Sequence, residues 1–350
     1  MHENVLRSPI RTIRPATAVE NYLADRTVPC ATSDELGTLL RELVSIGLDK
    51  LPMPGDGHTL ERWRTLAAVA ACDLGLAKLY EGHTDALAIL AELDGPTPAA
   101  HTTWGVWAAE PPAAKLRVVR DTDGSARLTG RKAWCSGATF LSHVLVTAWN
   151  QADEQCLVAV ALEQDSIKVN PEPWQAVGMG ATASADVEFN QCLGSFVGIP
   201  GEYVNRPGFW HGGAGVAACW YGAATTLAEA LRASVAERSD VHAAAHLGAV
   251  EIALSSAAAI LREAALRIDA APEANACPLA LRVRETVEHA ASTTLGRVGR
   301  ALGAGPLCRD ARIARHMADL PIFVRQSHAE HDLAHLGEAM AKHAAGSWSL

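Results

Sequence analysis

Aromatic side chains are scarce in this 350-residue chain: Phe, Trp and Tyr together make up 5% of it. Its core must therefore rest on aliphatic residues and alanine, and hydrophobic residues do supply 49% of the sequence. That fraction excludes a disordered chain. Runs of one charge sign are missing as well. The net charge is −9 with no basic stripe, which argues against nucleic acid as a partner. Arg7, Arg11 and Arg14 cluster near the start, but Pro9 and Pro15 interrupt them, so a solvated arm is expected there. No uninterrupted apolar run reaches the roughly 20 residues of a membrane span, and no apolar leader follows Met1. A cytoplasmic protein with no membrane partner is the expectation. The eight cysteines stand singly, without a Cys-x-x-Cys pair. Buried free thiols are expected, with no disulfide and no metal site.

The most informative stretch runs from Ala126 to Phe189. Two β-branched, apolar runs, His143 to Trp149 and Cys156 to Leu162, flank the loop Asn150-Gln-Ala-Asp153 as in a hairpin. Asp121-Thr-Asp-Gly124 is a turn signal that brings a further hairpin into the stretch. Trp104, Val106 and Trp107 alternate with small residues upstream and read as a strand. These features predict a small antiparallel β-domain.

The flanks are helical. Ser33 is placed to cap a helix carrying Leu36, Leu39, Leu40, Leu43 and Ile46 on one face. A buried helix from Thr59 to about Tyr80 and a shorter one over Thr84 to Leu93 are expected next. After Gly212 the pattern predicts four long helices: Gly215 to Glu237, Val241 to about Ala270, Pro278 to about Leu302, and Ala311 to about Gly337. Short loops between them argue an antiparallel bundle. The expected fold class is mainly α with a central β-domain (α+β). It comprises an N-terminal helical domain over 1–99, an antiparallel β middle domain over 100–199 and a C-terminal four-helix bundle over 200–350. Gly215 to Ala224 is small and apolar, with Trp220 and Tyr221 expected to project. Its two readings are a subunit interface and a helix buried within one chain.

The order of these blocks, with two local motifs, resembles the flavin-dependent acyl-CoA dehydrogenase superfamily, of which the chain reads as a divergent member. Gly130-Arg-Lys-Ala-Trp-Cys-Ser-Gly137 resembles that family's Gly-x-Lys-x-Trp-Ile-Thr-Asn/Ser-Gly, and Gly178-Met-Gly-Ala-Thr-Ala-Ser-Ala-Asp-Val187 resembles its Gly-Met-Arg-Ala-Thr-x-Ser-x-Asp-Val. Trp107-Ala-Ala-Glu-Pro111 looks like a degenerate Thr-Glu-Pro flavin loop, and Leu302-Gly-Ala-Gly-Pro-Leu307 like a shortened dinucleotide-contacting turn. The resemblance implies FAD as cofactor, an acyl substrate and a homodimer or homotetramer. It implies cofactor contacts from Trp134, whose ring would pack on the isoalloxazine, from Ser136, whose hydroxyl would face its N5 and O4, and from Gly137, Trp107, Ala109, Gly303 and Gly305. The sequence departs from the family where Pro112-Ala-Ala-Lys115 stands in place of a Gly-Ser-Asp element. No Arg–Phe–Gln set for the adenine end is found in the bundle.

Catalysis has two readings. A dehydrogenase needs a carboxylate to take a proton while hydride leaves for the flavin. Arg309-Asp-Ala-Arg-Ile313 resembles the start of the family's catalytic helix, but the expected Glu falls on Ala318, with Asp319 beside it. Asp319 is the candidate base. Arg325-Gln-Ser-His-Ala-Glu-His-Asp332 resembles instead an ending found in flavin monooxygenases of this fold, which makes His331 and His328 candidate proton donors on one helix face. The function expected is that of a flavin-dependent oxidoreductase acting on the CH–CH unit of an acyl-thioester or similar small substrate. A flavin monooxygenase of the same fold and a non-catalytic binding module are the alternatives.

Overall fold

A computed structural model describes residues 15–26, 28–112, 114–342 and 348. The arginines at 7, 11 and 14 lie outside the described residues.

Four helices come first: α1 (Pro15–Ala24), α2 (Ser33–Ser45), α3 (Thr59–Cys72) and α4 (Leu74–Glu92). The cap of α2 is Thr32, not Ser33. Its hydroxyl accepts the Glu35 N–H, and the Glu35 carboxylate accepts the Thr32 N–H in return. The single helix expected up to Tyr80 is two helices, broken at Asp73. This residue is extended, caps α4 through the Leu76 N–H, and accepts the Cys30 N–H at 2.7 Å. A carboxylate that satisfies two otherwise unpaired N–H groups outweighs one more helical residue.

Seven strands follow: β1 (Trp104–Trp107), β2 (Leu116–Arg120), β3 (Ala126–Cys135), β4 (His143–Trp149), β5 (Gln155–Ala161), β6 (Ile167–Asn170) and β7 (Ala185–Val197). Both expected hairpins are present, β2–β3 around Asp121–Gly124 and β4–β5 around Asn150–Asp153. The pairings β4–β2–β3–β7–β5 return to β4, so the sheet closes on itself, with β6 added to β7. It is not wholly antiparallel: β1 and β2 run parallel to β4.

The remaining helices are α5 (Glu202–Asn205), α6 (Pro207–Glu237), α7 (Val241–Ala270), α8 (Cys277–Leu302), α9 (Ala304–Arg309), α10 (Ala311–Phe323) and α11 (Glu330–Ala341). Helix α6 is central, packed on α3 and α8. A Cβ on Gly222 would lie 2.1 Å from the Ala67 carbonyl, so glycine there sets how closely α6 approaches α3. Trp220, expected as a projecting residue, is fully buried under the Arg284 guanidinium. The reading of α6 as a helix buried within one chain therefore holds for this side chain. The uncovered apolar helix is α7. Its most apolar 18 residues have a mean hydropathy of 1.6, yet 28% of that window is buried.

The expected continuous helix from Ala311 to Gly337 is broken between α10 and α11. Pro321 lies in the last turns of α10, and a short 3-10 turn follows over Val324–Gln326. Ser327 Oγ then accepts the Ala329 N–H, and the Asp332 carboxylate reaches back to the His328 N–H. Two side chains thus start α11 after α10 has run on two residues past its proline.

Candidate active site

The site is built where β3 loses register with β7. Lys132 pairs with Val187 and Cys135 with Ala185, so β3 carries one extra residue between them. This bulge contains Trp134, in the left-handed region at φ 60° with its side chain 60% exposed. A large aromatic in that conformation costs on the order of 1–3 kcal/mol, and leaving it in water recovers nothing. Two further strained residues flank the 3-10 turn that precedes β7: Met179 at φ 59° and Ala183 at φ 48°. Bulges and non-glycine residues at positive φ gather where a side chain must be aimed.

The segment after Trp134 is fastened on every side. Gly137, at φ 73°, donates its N–H to the Thr182 carbonyl at 2.8 Å. The buried Trp107 donates its indole N–H to the Ser136 carbonyl at 3.0 Å. Ser136 Oγ lies 3.0 Å from Ser184 Oγ, which lies 2.9 Å from Thr182 Oγ1, and Thr182 Oγ1 donates to the Met179 carbonyl at 2.7 Å. Thr182 gives its one proton to Met179, so Ser184 donates to Thr182 and Ser136 to Ser184, which leaves the Ser136 oxygen its lone pairs for another partner.

Beneath the bulge, Lys132 is fully buried. Its ammonium meets Glu110 Oε1 at 2.5 Å, Thr147 Oγ1 at 2.7 Å and the Thr147 carbonyl at 3.0 Å. Burial pushes its pKa down, and Glu110 opposes that shift. Trp149 donates to the other Glu110 oxygen. This network fixes the loop from Ala109 to Pro111 against β3 and β4. The half-buried Ala109 is thus held beside the bulge through its neighbour Glu110.

A small cavity opens beside Ser136, between α4 and the sheet. Lys78 and Gly82 of α4, Val106 and Trp107 of β1, Ser136 and Leu141 line it. Lys78 Nζ is 3.5 Å from Glu81 Oε2. Burial pushes the Glu81 carboxyl up, and the Lys78 ammonium counters part of that rise. The pair thus places an ammonium at the cavity wall with a carboxylate 3.5 Å from it. One turn beyond the cavity-lining Leu79, His83 has a defined tautomer. Its Nδ1 accepts the Trp104 N–H, so the proton lies on Nε2, which faces Asp49 at 3.2 Å. Sequence reasoning missed Lys78 and Glu81. The available signal was a cluster of charges in an otherwise apolar helix, which alone reads as a solvated face.

Among known proteins, no family model and no curated relative matches the chain. Solved structures do match. Glutaryl-CoA dehydrogenase from Mycobacterium smegmatis superposes with a TM-score of 0.80 at 15% identity, covering 95% of each chain. The dibenzothiophene monooxygenase TdsC from Paenibacillus sp. A11-2 gives 0.73 at 19% identity, over 94% of this chain and 95% of that one. Methanesulfinate monooxygenase MsuC from Pseudomonas fluorescens gives 0.74 at 19% identity, over 96% and 97%. The fold is that of the acyl-CoA dehydrogenases.

Within that fold the remaining expected residues are dispersed. A Cβ on Gly178 would lie 2.0 Å from the Ala318 carbonyl, so the 178–184 segment rides directly on α10. Asp319, 1% exposed, accepts the Met179 N–H at 2.5 Å. It is not among the side chains that line the cavity at Ser136. Burial raises its pKa to about 6, against the lowering effect of the Met179 N–H and Arg315.

His328 and His331 do not share a helix face, contrary to expectation, because the break between helices puts His328 ahead of α11, yet their rings meet edge-on at 6.2 Å. Their side chains are 73% and 84% exposed and lie near the buried Asp332 carboxylate. His331 stands in the first turn of α11, not near the end of a helix, since α11 starts only at Glu330. Gly303, at φ 63°, separates α8 from α9, and Gly305 lies in α9. Both are exposed, with nothing within 4 Å of a Cβ placed on either. None of these four is brought to the cavity by the contacts described.

Proposed function

We propose that the chain is a flavin-dependent oxidoreductase whose reaction site lies at Trp134 and Ser136, beside the cavity that Ser136 and Lys78 line. The observation that carries this reading is the strained, exposed indole of Trp134 two residues from an oriented Ser136 hydroxyl. These residues fit a flavin. An uncovered indole can pack on a flat heteroaromatic ring, and a hydroxyl oxygen with lone pairs to spare can accept an N–H at that ring's edge. Once bound, the flavin supplies two-electron chemistry, accepting hydride or passing electrons to oxygen. FAD is the form that the family resemblance implies, while TdsC was solved with FMN. The two share the ring that Trp134 would cover. An absorbance spectrum of the purified protein, followed by chromatography of the released nucleotide, tests both. A colourless protein that gains no flavin absorbance with either nucleotide defeats the reading.

Of the two chemistries, oxygenation is the better supported. Dehydrogenation of an acyl-thioester needs a carboxylate base. The family's position for that base holds Ala318, and the adjacent Asp319 is committed to the Met179 N–H. The Lys78–Glu81 pair instead offers a place to hold and move a proton, with Lys78 at the cavity wall. Replacing Glu81 with Gln should leave flavin content unchanged and lower turnover by roughly two orders of magnitude. Steady-state rates with oxygen and with an artificial electron acceptor are the measurement. Loss of the acceptor rate alone would favour the dehydrogenase reading. His331→Ala, by contrast, should leave turnover unchanged, since that ring is largely in solvent.

We further propose a homo-oligomer assembled through α7. Val241, Ile252 and Leu266 are 76%, 71% and 67% exposed on a helix whose apolar content exceeds its coverage. A second copy is the natural cover for a face that would otherwise remain in water. Light scattering should give a dimer or tetramer for the wild type and a smaller mass for Ile252→Glu. A monomeric wild type sinks this proposal.

A further inference from the structure

Strand β3 breaks its own alternation at Lys132. Leu128, Lys132 and Cys135 are all fully buried. Leu128 and Lys132 lie four residues apart, as a regular strand permits. Lys132 and Cys135 lie three apart, which it does not, because successive side chains point to opposite faces. An extra residue must therefore fall between them. Asp186 of β7 stands alone opposite Ala133 and Trp134, and Trp134 takes the left-handed backbone.

The place of the bulge thus depends on Lys132 pointing inward, and lysine is among the residues least suited to that position. It is held there by Glu110 Oε1 and by the hydroxyl and carbonyl of Thr147. Of these, Glu110 carries the counter-charge. Replacing a buried ion pair by apolar side chains of similar size is often neutral for stability, and the best-attested use of such a pair is to fix register. Were Lys132 turned out, Ala133 and Cys135 would share the inner face and Trp134 would relax to ordinary strand backbone. The extra residue would then fall before Lys132, where β3 already loses register with β7 between Leu128 and Thr129.

We propose that Glu110 is a positioning residue for Trp134: acting through Lys132, it fixes the bulge at Ala133 and Trp134 and so aims the indole. The inference rests on reading Trp134 as the flavin contact. Glu110 lies in the loop after β1 and also accepts the Trp149 indole N–H. One carboxylate therefore sets both that loop and the ring.

Thermal melts of the flavin-free protein read the bulge. Trp134→Gly should raise the melting temperature of the wild type by relieving the left-handed backbone. In Glu110→Gln the ammonium loses its counter-charge and turns to water. The bulge then leaves Trp134, and the same glycine should bring no rise. Fluorescence titration with FMN and with FAD reads the aim of the indole. Glu110→Gln should weaken whichever nucleotide the wild type holds by roughly ten-fold or more. Adding Lys132→Met should undo both effects, since methionine stays inward with no charge to pair. Should Glu110→Gln not fold, Glu110→Asp, one methylene short of Nζ, takes its place. A glycine gain that persists in Glu110→Gln overturns the proposal, because the bulge then stands without the carboxylate. So does a double variant as weak in flavin binding as Glu110→Gln, which would make Glu110 act on flavin directly. A protein that takes up neither nucleotide defeats the proposed function, while the melts, read without flavin, still judge the bulge.

Discussion

Replacing Trp134 with glycine should stabilise the flavin-free protein and weaken its hold on flavin. Trp134 sits at φ 60° with 60% of its side chain exposed. Glycine adopts that conformation without a steric cost, so the substitution should gain about 1 kcal/mol of folding stability. The indole contributes little packing in the free protein, so little is lost in exchange. Binding is another matter. Covering roughly 100 Å² of indole with a flat ring contributes about 2–3 kcal/mol, and its loss should raise the flavin dissociation constant by roughly fifty-fold. Trp134→Ala should show the binding defect without the gain in stability, because alanine remains strained at positive φ. Thermal melts without flavin and fluorescence titration with it give the two quantities separately. If affinity is unchanged in both variants, the bulge presents Trp134 for some other partner and the proposed function loses its principal support.

The fold was legible because its markers are local. Asp121–Gly124 and Asn150–Asp153 encode turns whatever surrounds them, and helices α7 and α8 start and stop close to where proline and periodicity place them. The breaks at Asp73 and Ser327 were not legible. Each depends on a side chain satisfying backbone groups brought near by the fold, as when Asp73 accepts from Cys30, 43 residues away. The parallel pairing of β1 with β4 is likewise a long-range choice that the alternation of Trp104 to Trp107 leaves open.

The candidate site divides in the same way. Trp134 and Ser136 could be picked out because they lie within one short motif. The Lys78–Glu81 pair could not. A charged residue on a helix reads as solvated until the packing of α3, α4 and α6 shows it to be covered. Trp220 illustrates the converse: in the sequence it could project or be buried, and only the approach of Arg284 from α8 decides.

Asp319 yields the sharpest pH dependence. Its carboxyl has an ordinary value of 3.8 and is raised by burial to about 6. A carboxyl whose folded value exceeds its unfolded one binds protons more tightly in the native state. Its contribution to stability is therefore fully present below pH ~4 and is lost as the pH rises through ~6, a change of up to about 3 kcal/mol. Asn keeps the oxygen that accepts the Met179 N–H and carries no charge to desolvate. Asp319→Asn should consequently be more stable than wild type above pH ~6 by up to about 3 kcal/mol, with the gap closing towards pH ~4. Denaturant melts across that range measure it. Turnover should survive in Asp319→Asn, because the Met179 bond and the hydroxyl chain through Thr182 and Ser184 to Ser136 stay in place. In Asp319→Leu the acceptor is gone and the Met179 N–H is left buried and unpaired, at a cost of about 1–3 kcal/mol. The 178–184 segment should then lose its register on α10, with both turnover and flavin retention reduced. A base that removes the substrate proton behaves differently: both substitutions abolish turnover at every pH while flavin stays bound. That outcome would return Asp319 to the chemistry and restore dehydrogenation as the better-supported reaction.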